Sequence, residues 1–224
     1  MIPPPRGQSA PGRAPASLLY SGPRPLVLAS RSPRREEILR RQQVPLVVRP
    51  ADVDESADPS LPAREQAMQV AARKAAAAAR PGELVLGADT VVVLGREVLG
   101  KPKDEAAARA MLERLVGRTH EVTTGLALID MASGARCLSW EDTRVVMRKA
   151  TPAEIAAYVA TGEPLDKAGS YGIQGHGALF VERIEGCYYN VVGLPIVRLW
   201  SMLGDVLARP RAPRRKASDS RSNP

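Results

Sequence analysis

An α/β domain, a mixed sheet flanked by helices, is the fold class predicted by the order of elements along this chain. In the first half, short apolar strands alternate with helical patterns. In the second, two long runs, Thr119–Asp130 and Arg136–Arg148, alternate like paired antiparallel strands. A length of 224 residues with a hydrophobic fraction of 44% gives one large domain, or two small lobes, with a proper core.

The net charge of +8 suggests a nucleic-acid binder until its location is read. Arg6, Arg13 and Arg24 give the leading segment +3, and residues after Ala208 give +5, so the intervening chain is neutral. The basic character belongs to the ends. Both ends are rich in Pro, Arg, Ser and Ala without apolar periodicity, so 1–24 and 209–224 are expected to be disordered tails around a domain over 25–208. The leader has no apolar h-region for secretion, and three consecutive prolines, Pro3–Pro5, fit a transit helix badly. No apolar run approaches the roughly 18 residues of a membrane span. Cys137 and Cys187 fall in strand-like segments without metal-ligand spacing, which predicts buried reduced thiols and a cytoplasmic protein.

Order is expected from Pro25. The strand Pro25–Ala29 runs into Ser30-Arg-Ser-Pro-Arg-Arg35 and a helix carrying Ile38 and Leu39. Ser32 suits the N-cap and Pro33 the first helical position. Arg34 and Arg35 then oppose the helix dipole in the first turn. Together with free N–H groups they would make an anion site; alone they would be solvated arginines. Val44–Val48 reads as a strand and the acidic run Asp52, Asp54 and Glu55 as a loop. An alanine-rich helix, about Leu61 to Arg80, carries Lys74.

Leu84–Gly95 is a strand-length apolar run holding one carboxylate, Asp89. An unpaired acid is costly in an apolar layer, so Asp89 is either a satisfied structural group or placed for chemistry. A hairpin follows towards Lys101, then a helix capped by Asp104, the two long strands, and a helix opened by the capping box Thr151–Glu154. Pro164–Gly177 carries four glycines and reads as neither helix nor strand, a length that is usually functional when ordered. Ala178–Ile184 and Tyr188–Val192 read as a hairpin, and a last helix is expected to pack Leu199, Trp200 and Leu203 inward.

The stretches LASRSPRREEIL, GADTVVVLGREVLGKP, DKAGSYGIQGHG and NVVGLP occur in this order between about Leu26 and Leu207. Together they resemble the Maf family of nucleoside triphosphate pyrophosphatases, also named for inhibition of septum formation. The resemblance implies a mixed twisted sheet with two lobes around a deep nucleotide-binding cleft, often in a homodimer. It implies hydrolysis of a nucleoside triphosphate to the monophosphate and pyrophosphate, with Asp89 as proton acceptor and Arg34, Thr90 and Gln174 selecting the substrate. Ser30, Arg35, Lys74 and Lys101 are carried over as further substrate contacts. Glu55, with Asp89 as second candidate, would hold a divalent cation, Mg²⁺ or Mn²⁺.

The glutamine in DKAGSYGIQG resembles the dTTP/UTP branch. An amide donates and accepts at once, which suits a pyrimidine edge of carbonyls and N–H; Gln174 pinning its own loop is the plainer reading. His176 is expected at the rim, His120 at a strand start, and Asp166–Lys167 as an ion pair shaping the cleft. Two other functions stay open: a non-enzymatic nucleotide-binding regulator of septum formation, and a nucleic-acid binder acting through the tails. The resemblance implies a biological role in nucleotide housecleaning or in arresting cell division.

Overall fold

The computed structural model describes residues 17–208; the expectations for 1–16 and 209–224 lie outside the described residues. One mixed sheet organises the chain. Its path runs β2 (Leu46–Val48), β1 (Leu26–Leu28), β3 (Leu84–Leu94), β5 (Thr119–Asp130), β6 (Arg136–Met147) and β7 (Val181–Glu185), with β4 (Glu97–Leu99) paired to β3 off that path. β1 lies parallel to both β2 and β3, and all other pairings are antiparallel.

Helices cover both faces, as an alternating strand period requires. α1 (Pro33–Arg41) and α6 (Ile196–Leu207) pack Ile38, Leu39, Leu199 and Leu203 against Leu26, Leu84 and Leu86. α2 (Ala63–Ala78) lies on the opposite face over Val27, Val85 and Ala127. α3 (Glu105–Leu115) and α4 (Pro152–Val159) enclose a separate cluster around Val92, Val122 and Met147. The caps read from sequence form: Asp104 accepts from the Ala107 N–H, and Thr151 and Glu154 make a reciprocal capping box.

α2 reaches its face by an unusually close approach. Gly87 on β3 and Gly125 on β5 form its floor. A Cβ on Gly87 would lie 2.0 Å from the Ala71 carbonyl oxygen, and one on Gly125 would lie 2.4 Å from the backbone of Ala67 and Met68. Small residues on both sides therefore let helix and sheet backbones nearly touch. Nothing bulkier fits.

Several expectations are corrected. Order begins before Pro25: Leu19 and Tyr20 are buried, the Ser17 hydroxyl donates to the Gln42 carbonyl, and Arg24 pairs with Asp130. Leu19 and Tyr20 hold residues 17–24 against the core, while Leu18 is exposed. Tyr188–Val192 is a short helix, α5, rather than the second strand of a hairpin, and Cys187 is its N-cap, half-buried. The side-chain amide of buried Asn190 donates to the Val122 carbonyl and the Thr143 hydroxyl, so tertiary hydrogen bonds override β-propensity. Trp200 is 60% exposed, because the buried stripe of α6 runs through Leu199, Met202, Leu203 and Val206, and Trp200 sits off it. The glycine-rich segment is built from 3₁₀ turns, Glu163–Asp166, Ala168–Ser170 and His176–Phe180.

His120 is on β5 as expected, but it is fully inside, its Nε2 2.7 Å from the Tyr171 hydroxyl. Burial pushes its pKa from the ordinary 6.5 down to about 4. Above pH 6.5 both folded and unfolded chains carry it neutral. As pH falls below that, the unfolded chain takes up a proton that the folded chain refuses, so stability drops, by about 2 kcal/mol at pH 5. Denaturant unfolding at pH 7 and pH 5 should show this gap narrowed by that amount in His120→Gln. An unchanged gap would assign the pH dependence to other groups.

Candidate active site

The site forms where the parallel part of the sheet stops. β1 pairs with β3 from Leu26↔Leu84 only as far as Leu28↔Leu86, and β4 takes up the same edge again at Val92. Between them Gly87–Val91 is laddered on the β5 side alone, leaving a gap in the sheet at the carboxyl end of β1. β1 also stands between β2 and β3, with α1 and α2 on opposite faces, which makes this a topological switch point of the kind that holds ligands in open α/β sheets. A cavity of about 860 Å³ opens there.

Asp89 lies within this gap. It shares a face of β3 with Gly87, so it points towards α2, where Lys74 directly precedes Ala75, one of the residues pressed onto Gly87. Lys74 Nζ is 2.8 Å from Asp89 Oδ1 and 2.9 Å from Glu55 Oε1, and its side chain is only 9% exposed. One buried ammonium thus answers two carboxylates. Burial would raise the Glu55 pKa, yet the hydrogen bond and charge of Lys74, with Lys101 and Arg31 behind it, hold it below the usual carboxylate range. Asp89 Oδ2 accepts no hydrogen bond among the described residues, and Asp89 lines the cavity.

The other face of β3 carries Thr90 and is organised by Arg35. The guanidinium is buried and each of its three nitrogens donates to protein: Nε to the Gly193 carbonyl at 2.8 Å, Nη1 to the Ser30 hydroxyl at 3.0 Å, and Nη2 to the Thr90 hydroxyl at 2.9 Å. Thr90 Oγ1 also lies 2.9 Å from Thr124 Oγ1, which donates to the Asn190 carbonyl. Burial lowers the Arg35 pKa and the Asp89 charge opposes that shift; an arginine remains a cation under such conditions. Arg35 therefore binds β1, β3 and the α5–α6 link into one wall. Ser32 stands at the N-cap as read, but without a side-chain cap bond; instead the Ser30 hydroxyl accepts its N–H.

Arg34 is half-buried, 3.4 Å from Asp166, which also accepts from Lys167 at 2.6 Å, the ion pair expected in the cleft. Ser30, Arg34, Arg35, Glu55, Lys74, Asp89, Thr90, Lys101 and Gln174 all line the one cavity, although they come from distant parts of the chain. His176 is exposed on the turn that follows. Sequence reasoning passed over Glu163, which also lines the cavity. Its carboxylate accepts from the Tyr158 hydroxyl at 3.0 Å and from the His176 and Gly177 N–H groups at 2.8 and 3.3 Å. An acid just ahead of a glycine-rich stretch was the available signal.

Comparison with known proteins bears on this arrangement. The family model described as Maf-like protein matches residues 25–206. A dTTP/UTP pyrophosphatase of Moorella thermoacetica is 53% identical over 180 residues, covering 80% of this chain and 93% of that protein. Proteins of the same name from Salinibacter ruber and Anaeromyxobacter dehalogenans are 52% and 51% identical, each covering 80% of this chain and 89% and 92% of their own lengths. The matched region takes in every residue that lines the cavity, so fold, site and similarity coincide, and the chain belongs to the Maf family.

Proposed function

We propose that this protein hydrolyses dTTP and UTP to the nucleoside monophosphate and pyrophosphate. The observation that carries the reading is the single cavity uniting the carboxylates of Asp89 and Glu55 with Lys74, Arg34, Arg35 and Lys101, in a chain about half identical to proteins named for that activity. Asp89 orients a water and takes its proton as the water oxygen bonds to phosphorus. The bridging oxygen leaves with the pyrophosphate. A positioned base of this kind contributes about 10²–10⁴-fold. The larger share is electrostatic, because negative charge grows on the leaving group while Lys74, Arg34 and Lys101 stand around it and the first-turn N–H groups of α1 lack intrahelical acceptors. Arg35 serves differently. Its hydrogen bonds go to the protein, so it fixes Ser30 and Thr90 and adds charge from beneath.

No group of three or more metal-ligating side chains occurs among the described residues. Two carboxylates with an oxygen each to spare nevertheless suit a small hard cation, which completes its shell with water and phosphate. Glu55 and Asp89 would hold Mg²⁺ or Mn²⁺, and the bound ion supplies Lewis-acid neutralisation of phosphate oxygens. Gln174 is assigned to the pyrimidine edge.

The protein is further proposed to be a homodimer. Leu138 and Trp140 are exposed on the stretch of β6 that lies beyond its pairing with β7, and a strand edge left unpaired among the described residues and carrying apolar side chains is a template for association. A cytoplasmic location fits the cysteine usage, and no helix among the described residues is long and apolar enough to cross a membrane.

The test is pyrophosphate release across a nucleotide panel with Mg²⁺ or Mn²⁺. dTTP and UTP should be preferred, and a chelator should abolish turnover until metal is restored. Binding of dTTP without pyrophosphate release under any metal would leave a nucleotide-binding regulator instead.

A further inference from the structure

Gln174, the residue assigned to the base, is exposed and makes no hydrogen bond of its own among the described residues. Its direction must therefore come from its backbone. That backbone is laid over the Glu163 carboxylate. A Cβ on Gly175, the next residue, would fall 2.4 Å from Glu163 Oε2. One on Gly172 would fall 3.1 Å from Oε1, and one on Gly177 2.7 Å from the Tyr158 hydroxyl. The hydroxyl that donates to Glu163 also accepts the Gly172 N–H at 3.2 Å. Both sides of Gln174 are thus tied to the same carboxylate, Gly172 through Tyr158 and His176 and Gly177 directly.

We infer that Glu163 is a positioning residue for nucleobase selection, holding the Gly172–Gly177 backbone so that the Gln174 amide meets the base in one orientation. The inference rests on the nucleotide reading of the cavity given above. Three donors converge on Glu163, and only an ionised carboxylate offers acceptors alone on both oxygens. A glutamine in its place would turn an NH₂ towards one of those donors, so the loop would keep its chain trace and lose its fixed register. Glu163 makes no hydrogen bond with Asp89 or Lys74, the groups at the chemical step.

The experiment compares wild type, Glu163→Gln and Tyr158→Phe as full chains. Each is assayed on dTTP, UTP, GTP and a base-free deoxyribose 5-triphosphate. In Glu163→Gln the KM for dTTP and UTP should rise about tenfold with kcat held within about threefold. The preference for dTTP over GTP should shrink about tenfold, and the base-free compound should be hydrolysed as in wild type. Tyr158→Phe removes one hydroxyl and should shift preference the same way by about threefold, which preserves the test if the Glu163 variant does not fold. Equal losses on dTTP and the base-free compound, or unchanged preference in both variants, would overturn the inference. Wild type that releases no pyrophosphate from dTTP or UTP would instead overturn the reading of the site.

Discussion

Asp89→Asn is expected to lower kcat for dTTP by about 10²–10⁴-fold while KM stays within a few-fold of wild type. The amide has the shape of the carboxylate, so the gap in the sheet and the packing of α2 are preserved. What disappears is the negative charge and the capacity to take a proton. Lys74 keeps a partner in Glu55 at 2.9 Å, so the variant does not strand a buried ammonium, and its thermal midpoint should stay near wild type. Steady-state kinetics together with a nucleotide-binding isotherm measure the two parts separately. An Asn variant with full turnover would remove Asp89 from the base role; one that no longer binds nucleotide would make it a binding residue.

Gly87→Ala should have the largest effect on stability. Its new methyl would sit 2.0 Å from the Ala71 carbonyl oxygen and 2.9 Å from the Ala75 nitrogen, both backbone atoms of the helix packed on this face. No side-chain rotation relieves that. α2 must lift, and overpacking of this sort costs about 1–3 kcal/mol or more. For a chain of this size a loss of about 3 kcal/mol corresponds to a fall in Tm of roughly 6–12 °C. Activity should fall beyond what unfolding explains, because the residue beside the clash, Lys74, is the one whose ammonium meets Asp89. Thermal denaturation followed by assay well below Tm distinguishes the two losses. A wild-type Tm would show that helix and sheet do not meet as described.

How much of this was legible beforehand depended on the range of the interaction concerned. Local signals were faithful: the proline at the start of α1, the Asp104 cap and the Thr151–Glu154 box are set by neighbours three or four residues apart. The oddity of an acid in the run around Asp89 was visible as well. Its resolution was not, because the gap that admits Asp89 depends on where β1 and β4 end along β3. Long-range demands escaped in the same way. Tyr188–Val192 has the composition of a strand and becomes a helix because Asn190 is drawn into β5 and β6. Trp200 looked like core by type, but the stripe of α6 passes it by. Gly87 and Gly125 drew no notice, since their meaning lies in a helix that sequence places elsewhere.

The layout divides labour between materials of different stiffness. Asp89 is on β3, laddered to β5 along almost its whole length, and Lys74 on the helix clamped to it, whereas Gln174 lies on a separate stretch beside Glu163. Asp89 is thus held by sheet and helix, and Gln174 by hydrogen bonds from a short polar segment. The two are still coupled at one point, because Asp166 within that segment pairs with Arg34 on α1, so a change of sequence between Glu163 and Gly177 would be felt on both sides of the cavity.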